Sequence, residues 1–193
     1  MNLLLKPAPN SVEIGGVRYQ VNTDFRTFIR IEQVLNNKEM TNREKVHSWL
    51  NLVYGAKIPQ DIRAAVDKIK WLYSCGAEPE EDEGSGKKAK QQLLYDFEFD
   101  SAYIYAAFLA QYGIDLNEEE LHWWKFIALF KSLASSCKIV EIMSYRAADL
   151  GEIKDEKERA RIARLKRIYA IPVMLTLEEK VAQAGAAFGG GLF

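Results

Sequence analysis

The feature that most constrains the fold is a run of closely spaced aromatic residues between Tyr95 and Leu150. Its first helical segment, Ser101 to Tyr112, is apolar or small at nearly every position. A helix of that composition has no continuous polar face, and such helices lie in the interior of a fold. The sequence therefore predicts that this segment is the central helix.

The second helical segment of the run carries its largest side chains at helical spacing. Trp123, Phe126 and Phe130 recur at steps of three and four residues, which puts them on one face of a helix. Trp124 lies about 100° from Trp123 around a helix of 3.6 residues per turn, so the apolar face is wide. A third helical segment, K-I-V-E-I-M-S-Y-R-A-A-D-L, follows.

Composition and charge exclude several classes of protein. The chain has 193 residues and 48% apolar content, which is typical of a folded protein with one large core or two small ones. Its 26 basic and 27 acidic residues nearly cancel, so the net charge does not favour a nucleic-acid or membrane partner. Cys75 and Cys137 are far apart, which fits neither a disulfide framework nor a zinc ribbon and predicts a reducing, intracellular setting.

Hydropathy predicts a soluble protein. The start, M-N-L-L-L-K-P-A-P, has an apolar run too short for a signal peptide and no basic lead. Elsewhere the apolar stretches stay below the roughly 18 residues that a membrane helix needs. We expect a chain that is neither exported by this route nor inserted in a bilayer.

Local signals mark the first elements. In V-E-I-G-G-V-R-Y-Q-V, alternating apolar residues flank Gly15 and Gly16, which predicts a β-hairpin because glycine accepts the positive φ of a tight turn. Thr23 or Asp24 can cap the helix that follows. That helix is predicted to turn these residues inward: Phe25, Phe28, Ile29 and Leu35.

Further signals mark the later helices. The pattern Thr41-Asn-Arg-Glu44 is typical of a capping box at a helix start. Another helix follows Pro59 and ends at Gly76, and a long charged helix spans Gly151 to Tyr169. Together these signals predict a mainly α fold, a helical bundle of about seven helices with a small N-terminal β-hairpin.

Composition divides the chain into four regions. Residues 1–76 hold the hairpin and the first helices, and residues 93–171 form an aromatic-rich helical core. Residues 77–92 contain no apolar residue larger than alanine and carry acids followed by lysines, which predicts a charged flexible linker. Residues 172–193 end in a glycine run and are predicted to be a loose tail unless a partner orders them.

Residues able to carry chemistry are few. His122 follows three glutamates, a pattern more typical of an exposed helix than of catalysis. Asp96, Glu98 and Asp100 alternate with aromatic residues and could hold Mg²⁺ in an extended stretch, but Asp100 also fits the N-cap of the helix from Ser101. The G-S-G-K-K segment lacks the first glycine and the hydroxyl of a P-loop. We expect no enzyme activity, no cofactor and no metal.

Large aromatic residues are the remaining signal. Most of them are needed to fill a helical core, but aromatic, methionine and arginine side chains also anchor protein interfaces. Arg146 lies close to this group in the sequence. The surface for a partner is predicted to be drawn from these residues: Trp123, Trp124, Phe126, Phe130, Met143 and Tyr145.

The same segments resemble a known family. Y-D-F-E-F-D-S-A-Y-I-Y-A-A-F-L-A-Q-Y-G-I-D-L, L-H-W-W-K-F-I-A-L-F-K-S-L and K-I-V-E-I-M-S-Y-R, with the hairpin and F-R-T-F-I-R-I-E-Q-V-L, resemble the bacteriophage gene-product-fifteen family of long-tailed phages and prophages of Gram-positive bacteria. The similarity covers about residues 10 to 170, and L-H-W-W-K-F is its most specific piece.

The resemblance implies a protein of the tail-assembly module, encoded just before the tape measure protein. Proteins in that position are generally taken to be tail assembly chaperones, which keep the long helical tape measure protein soluble and help to recruit tail tube subunits. The implied setting is the host cell cytoplasm. The implied partners are the tape measure protein and, beside it, the tail tube protein and a companion assembly chaperone. The sequence assigns no oligomeric state.

Two alternatives stay open. The first is a structural tail morphogenesis protein that is retained in the virion. The second is a nucleic-acid-binding factor that uses the basic residues from Arg161 to Arg167, although the acids that precede them on the same helix dilute their field.

Overall fold

The computed structural model describes residues 3–77 and 93–172. These residues form a two-stranded antiparallel hairpin followed by seven helices, which confirms the predicted fold class. The elements are β1 (Ser11–Ile14), β2 (Val17–Gln20), α1 (Phe25–Asn36), α2 (Asn42–Tyr54), α3 (Ile62–Tyr73), α4 (Ser101–Tyr112), α5 (Trp123–Lys131), α6 (Lys138–Ala147) and α7 (Glu156–Ile168).

The hairpin forms where the glycine pair predicts it. Ile14 pairs with Val17 across the turn, and Gly15 and Gly16 have φ of 57° and 76°. Residues with a Cβ rarely adopt a positive φ, and this turn needs a positive φ at two successive positions. The glycine pair therefore dictates the turn. Val12 and Ile14 are buried, and the hairpin thereby packs one face on the helices.

Side-chain caps set the helix starts. The Thr41 hydroxyl accepts from the Glu44 N–H at 3.3 Å and Glu44 accepts from the Thr41 N–H at 2.8 Å, which is the predicted capping box of α2. Asp24 caps α1 by accepting from the Arg26 N–H at 2.9 Å. These bonds satisfy amides that the first turn of a helix leaves without partners.

The central helix is α5, and the prediction that the segment from Ser101 to Tyr112 lies inside the fold is wrong. On α4 only Ile104, Ala107 and Phe108 are buried. Three of the other nine residues are alanine, which gains little from burial, so the lack of a polar face did not force this helix inward. Leu35, predicted to point inward from α1, is also 50% exposed.

One aromatic core joins the described residues on both sides of the linker. Phe126 stacks on Phe25 of α1 at a ring-centroid distance of 4.7 Å and on Phe108 of α4 at 5.0 Å. Trp123 stacks on Phe28 at 5.2 Å. Aromatic pairs in this range add to the free energy gained from burying their area. The core therefore depends on both halves of the chain.

Backbone hydrogen bonds connect the same two halves. The Trp123 N–H donates to the Thr23 carbonyl at 2.7 Å, and the Phe25 N–H donates to the Leu121 carbonyl at 2.9 Å. Arg26 also donates to the Glu119 carbonyl at 3.1 Å. The start of α1 is thus fixed to the start of α5.

Gly76 provides a prediction about this junction. It has φ of +80°, and a Cβ there would lie 2.9 Å from the Trp124 ring. We expect Gly76→Ala to lower the free energy of unfolding by about 2–3 kcal/mol, from backbone strain and from displacement of the buried indole. Urea unfolding followed by circular dichroism measures the change.

Gly113 is the matched control for that substitution. Its φ of +68° is similar, but a Cβ there would meet no atom within 4 Å. Gly113→Ala should therefore cost only the backbone term, about 1 kcal/mol. Equal losses for the two variants would show that the contact with Trp124 is unimportant.

Two predicted regions fall largely outside the described residues. Of the linker 77–92 only Ala77 is described, and of the tail 172–193 only Pro172, so both assignments stay predictions. Among the helices of residues 3–77 and 93–172, none combines the length and the apolar content required to cross a membrane.

Candidate partner-binding surface

Four of the six residues predicted to contact a partner are in the core. Trp123 and Trp124 are each 2% exposed, Phe126 is fully buried and Phe130 is 6% exposed. As folded, these four side chains offer almost no area to another protein, so their assignment to a partner surface is corrected. They are the interior filling that a helical core of this size requires.

Both indoles also have hydrogen-bond partners inside the fold. Trp124 Nε1 donates to the Leu72 carbonyl at 2.7 Å, and Trp123 Nε1 donates to the Tyr73 carbonyl at 2.9 Å. These carbonyls belong to the last turn of α3, where no N–H group four residues further along the helix donates to them, and the Leu72 carbonyl also accepts from the Cys75 N–H at 3.2 Å. The tryptophans therefore cap α3 from α5.

The other two predicted residues lie nearer the surface. Met143 is half-buried against the core, and Tyr145 is half-buried on the far side of α6. The Tyr145 ring stacks on Tyr169 with centroids 6.2 Å apart. Of the predicted set, only these two retain area that a partner could contact.

Arg146 is a buried structural residue. Its guanidinium makes two hydrogen bonds to the Asp100 carboxylate, at 2.6 and 2.9 Å, and both side chains are almost completely buried. Two more bonds reach the carbonyls of Leu94 at 2.8 Å and Tyr169 at 2.7 Å. Arg146 thus joins α4, α6, the end of α7 and the segment after the linker.

The residues considered for chemistry have separate structural roles. Asp100 precedes α4 as predicted, but its side chain makes no cap bond and pairs with Arg146 instead. Asp96 accepts from the N–H groups of Glu98 and Phe99 at 2.9 and 2.8 Å. The three alternating carboxylates therefore do not act together.

His122 is the N-cap of α5. Its Nδ1 accepts from the Trp124 N–H at 3.0 Å, so Nε2 carries the proton and donates to the Pro9 carbonyl at 3.1 Å. Burial lowers the pKa of His122 below its ordinary value, which favours this neutral form. The two bonds fix the segment before β1 to the central helix.

The most unusual surface is the outward side of α4. Although α4 contains no charged residue, it leaves a broad side exposed. At 100° per residue, its exposed small and apolar residues fall within an arc of about 120°. We call this surface the α4 face, and it comprises Ala102, Tyr103, Ala106, Leu109 and Ala110, together with Phe99 just before the helix.

Individual exposures support this description. Leu109 is 44% exposed, Phe99 46% and Tyr103 37%. Single exposed apolar residues are normal on a protein, but a contiguous row on a helix without charge marks an interaction site. The three alanines in the middle of this row have short side chains. The backbone of another helix can therefore approach α4 closely there.

Aromatic rings extend the α4 face toward α6 and α7. The Tyr103 ring meets Tyr169 edge to face, with centroids 6.5 Å apart, and Tyr169 in turn stacks on Tyr145. Phe99 lies beneath the Arg146 guanidinium, 5.9 Å from its ring centroid. The surface therefore continues from an alanine row into a group of tyrosines.

Cations border the tyrosines. Lys138 Nζ lies 5.2 Å from the Tyr169 ring centroid and 5.9 Å from that of Tyr145. Its hydrogen bond to Glu141 raises the pKa of the Lys138 ammonium, which therefore stays charged at neutral pH. Arg161 is held in the same way by two 2.8 Å bonds to Glu158.

A shallow groove between α1 and α2 is a second candidate surface. It has a volume of about 600 Å³. Only Val34 and Leu52 supply apolar lining, and the remaining lining residues are polar: Arg30, Gln33, Asn37, Ser48 and Asn51. Because binding sites for apolar segments are lined mainly by apolar side chains, the α4 face is the better candidate.

The observations define a class: a mainly α protein with one aromatic core, an N-terminal hairpin and an exposed, uncharged helix face. The chain belongs to the bacteriophage Gp15 family, because the family model described as "Bacteriophage Gp15 protein" matches residues 4–171. Membership of this family indicates a phage structural or morphogenesis protein. No curated protein matches the chain, and no solved structure does.

The absence of charge in α4 is a sequence signal for an unusual surface, but the sequence does not show that this surface is exposed. The signal was present, because twelve residues without a charge cannot make an ordinary solvent-exposed helix. Burial inside the chain and coverage by a second protein both account for such a segment, and the sequence alone does not distinguish them. The α4 face is therefore the candidate surface that the sequence analysis missed.

Proposed function

We propose that this protein is a tail assembly chaperone that binds the tape measure protein through the α4 face during tail morphogenesis in the host cell cytoplasm. The observation that carries the proposal is the exposed side of α4, a helix without charge. Family membership supplies the setting, since phage morphogenesis requires long chains to be kept from aggregating before they assemble.

The α4 face suits such a partner physically. A tape measure protein presents apolar stripes along a great length of helix, and a helix-binding surface recognises apolar residues at successive turns. α4 is about 18 Å long at 1.5 Å per residue, enough to contact three successive turns of a partner helix. Because the alanine side chains of the α4 face are short, larger side chains of a partner helix fit against them.

The proposed role is non-enzymatic and reversible. An apolar surface of this size supports contacts that form and separate during assembly, whereas permanent interfaces bury a larger apolar area. Tail tube subunits and a companion chaperone would be further partners in the same process. No step in this role requires a cofactor or metal.

Co-expression with a tape measure fragment tests the proposal. The full chain should raise the soluble fraction of the fragment, as measured by centrifugation and gel quantification. Ala106→Glu should abolish the gain, because a carboxylate in an apolar contact costs about 2 kcal/mol or more, roughly thirtyfold in affinity.

Ala160→Glu is the matched control. Ala160 is exposed on α7, so the same substitution adds the same charge away from the α4 face. This variant should solubilise the fragment as well as the parent does. If both variants lose the effect, or neither does, the α4 face is not the binding surface.

Mass spectrometry of purified virions separates the chaperone from a structural protein. A chaperone leaves the particle, so its peptides should be absent. Stoichiometric recovery would instead identify a tail component that is retained after assembly.

A further inference from the structure

We infer that residues 173–193 of this same chain bind the α4 face and cover it until a partner displaces them. These residues lie outside the described part of the chain. Three observations support the contact: the place where the described chain leaves α7, the apolar pattern of the sequence that follows, and the small area of the α4 face. The regulatory consequence of the contact rests on the proposed function.

The end of α7 is fixed beside the α4 face. Tyr169 directly follows α7 and contacts Tyr103 of the α4 face, with ring centroids 6.5 Å apart. The Tyr169 carbonyl accepts from Nε of the buried Arg146 at 2.7 Å, which holds this position. The described chain continues for only three residues, to Pro172, so residues 173–193 start within roughly 11 Å of Tyr169.

The sequence of this segment has the pattern of an amphipathic helix. Thr176 and Glu179 fit the capping box that starts a helix. Apolar residues then recur at steps of four, three and four, which is typical of one helical face. We call this face the tail stripe, and it comprises Leu177, Val181, Ala184 and Phe188. A helix with such a stripe needs a surface to cover it.

The segment and the α4 face agree in length and in side-chain size. Residues 177–188 match the 12 residues of α4, so a helix there would also be about 18 Å long. Residues 170–176 reach up to about 24 Å when extended, which allows the tail stripe to lie along the whole of α4. The large residues of the tail stripe would pack against the short alanine side chains of the α4 face.

The small area of the α4 face favours an occupant on the same chain. A surface about 18 Å long and about 10 Å wide is well below the roughly 800 Å² per partner of a stable interface. A free second copy at micromolar concentration would therefore occupy it poorly. A segment on a short linker acts at an effective concentration in the millimolar range, so a weak contact is populated within one chain.

This contact would regulate the proposed chaperone. The covered α4 face is kept from self-association before the tape measure protein is present. An apolar stripe of the tape measure protein displaces the segment only if it binds more tightly than the tethered tail stripe does. The apparent affinity for the tape measure protein is consequently lower than that of an uncovered α4 face.

A labelled peptide with the sequence of residues 173–193 tests the contact. In the full chain, Val181→Glu puts a carboxylate into the tail stripe and should release the tethered segment. Fluorescence anisotropy should show that the peptide binds this variant, and that it binds the parent chain at least about tenfold more weakly because the parent's α4 face is occupied. Adding Ala106→Glu to the Val181→Glu chain should abolish binding.

Ala186→Glu is the matched control. At 3.6 residues per turn, Ala186 falls about 170° from the middle of the tail stripe, so the same charge is added on the opposite side. This chain should bind the peptide as weakly as the parent does. Circular dichroism verifies that each variant is folded, since Ala106 is exposed.

Three results would overturn the inference. Equal binding of the peptide to the parent and to Val181→Glu would show that the tethered segment does not occupy the α4 face. Binding that survives Ala106→Glu would assign the segment to another surface. A parent dimer in light scattering that Val181→Glu dissociates would put the segment on a second copy.

The solubility assay with a tape measure fragment separates this inference from the proposed function. If the peptide binds no chain while the fragment is still solubilised, the intramolecular contact is refuted and the proposed function stands. If the peptide binds as expected but the fragment stays insoluble with every chain, the contact stands and the proposed function fails. Where both hold, Val181→Glu should solubilise the fragment at an about tenfold lower chaperone concentration than the parent.

Discussion

Replacing Arg146 by methionine is expected to lower the free energy of unfolding by about 3–5 kcal/mol. The substitution keeps most of the side-chain volume but leaves the Asp100 carboxylate buried without its cation. It also removes donors from the carbonyls of Leu94 and Tyr169. Thermal unfolding should report a melting temperature lower by roughly 6–20 °C, at about 2–4 °C per kcal/mol for a chain of this size.

Arg161→Met is the matched control. Arg161 makes the same two-point contact with a carboxylate, Glu158, at 2.8 Å, but both side chains are exposed. Exposed ion pairs contribute about 0.2–1 kcal/mol, because water screens them and solvates each partner when the other is removed. The comparison therefore isolates burial as the cause of the larger loss.

A double variant tests the mechanism. Asp100→Leu together with Arg146→Met removes both charges, and should recover at least half of the stability lost by Arg146→Met alone. An unchanged loss would show that the hydrogen bonds to Leu94 and Tyr169 matter more than the ion pair. If Arg146→Met cost no more than Arg161→Met, the buried pair would not hold α4 against α6.

Local chemistry explains the parts of the fold that were predictable. The turn at Gly15 and Gly16 needs positive φ, and the start of α2 needs acceptors for free amides, which Thr41 and Glu44 supply. In both cases the residues that create the structure are within four positions of each other. Such signals can be read from a single sequence.

The relations that were missed are long-range. Asp100 and Arg146 are 46 residues apart, and neither position alone indicates its partner. Arg146 was consequently interpreted as an interface anchor. The available hint was that Asp100 follows Phe97 and Phe99 and directly precedes a helical segment without charge, which favours a buried acid that needs a cation from elsewhere in the chain.

The tryptophans show a second limit. Spacing correctly put Trp123 and Phe126 on an apolar helix face, but a face that fills the core and one that binds a partner have the same period. Only packing distinguishes them. Conversely, the absence of charge in α4 is typical of an interior helix, and only the position of α5 at the centre of the fold shows that the alanines of α4 are exposed.

Replacing Trp124 by alanine is expected to lower the free energy of unfolding by about 3–5 kcal/mol, the range for truncation of a large core aromatic. The cavity would open against Trp71, whose ring meets the indole edge to face at 5.3 Å, and against Gly76. The Leu72 carbonyl would lose its 2.7 Å hydrogen bond from Nε1. Because Leu72 precedes the linker and Trp124 follows it, the loss should also weaken the junction between the two halves.

Indole-to-phenyl substitutions separate the hydrogen bond from the volume. Trp124→Phe removes the bonded N–H and part of the ring, and should cost about 1–3 kcal/mol. Trp49→Phe is the matched control, since Trp49 Nε1 is buried without a hydrogen-bond partner in the described part of the chain. Removing that donor relieves an unmet desolvation cost, so this variant should be neutral within about 0.5 kcal/mol or more stable. Urea titrations of both variants decide the matter: equal destabilisation would mean that the bond to Leu72 contributes nothing and that ring volume alone holds α5 against α3.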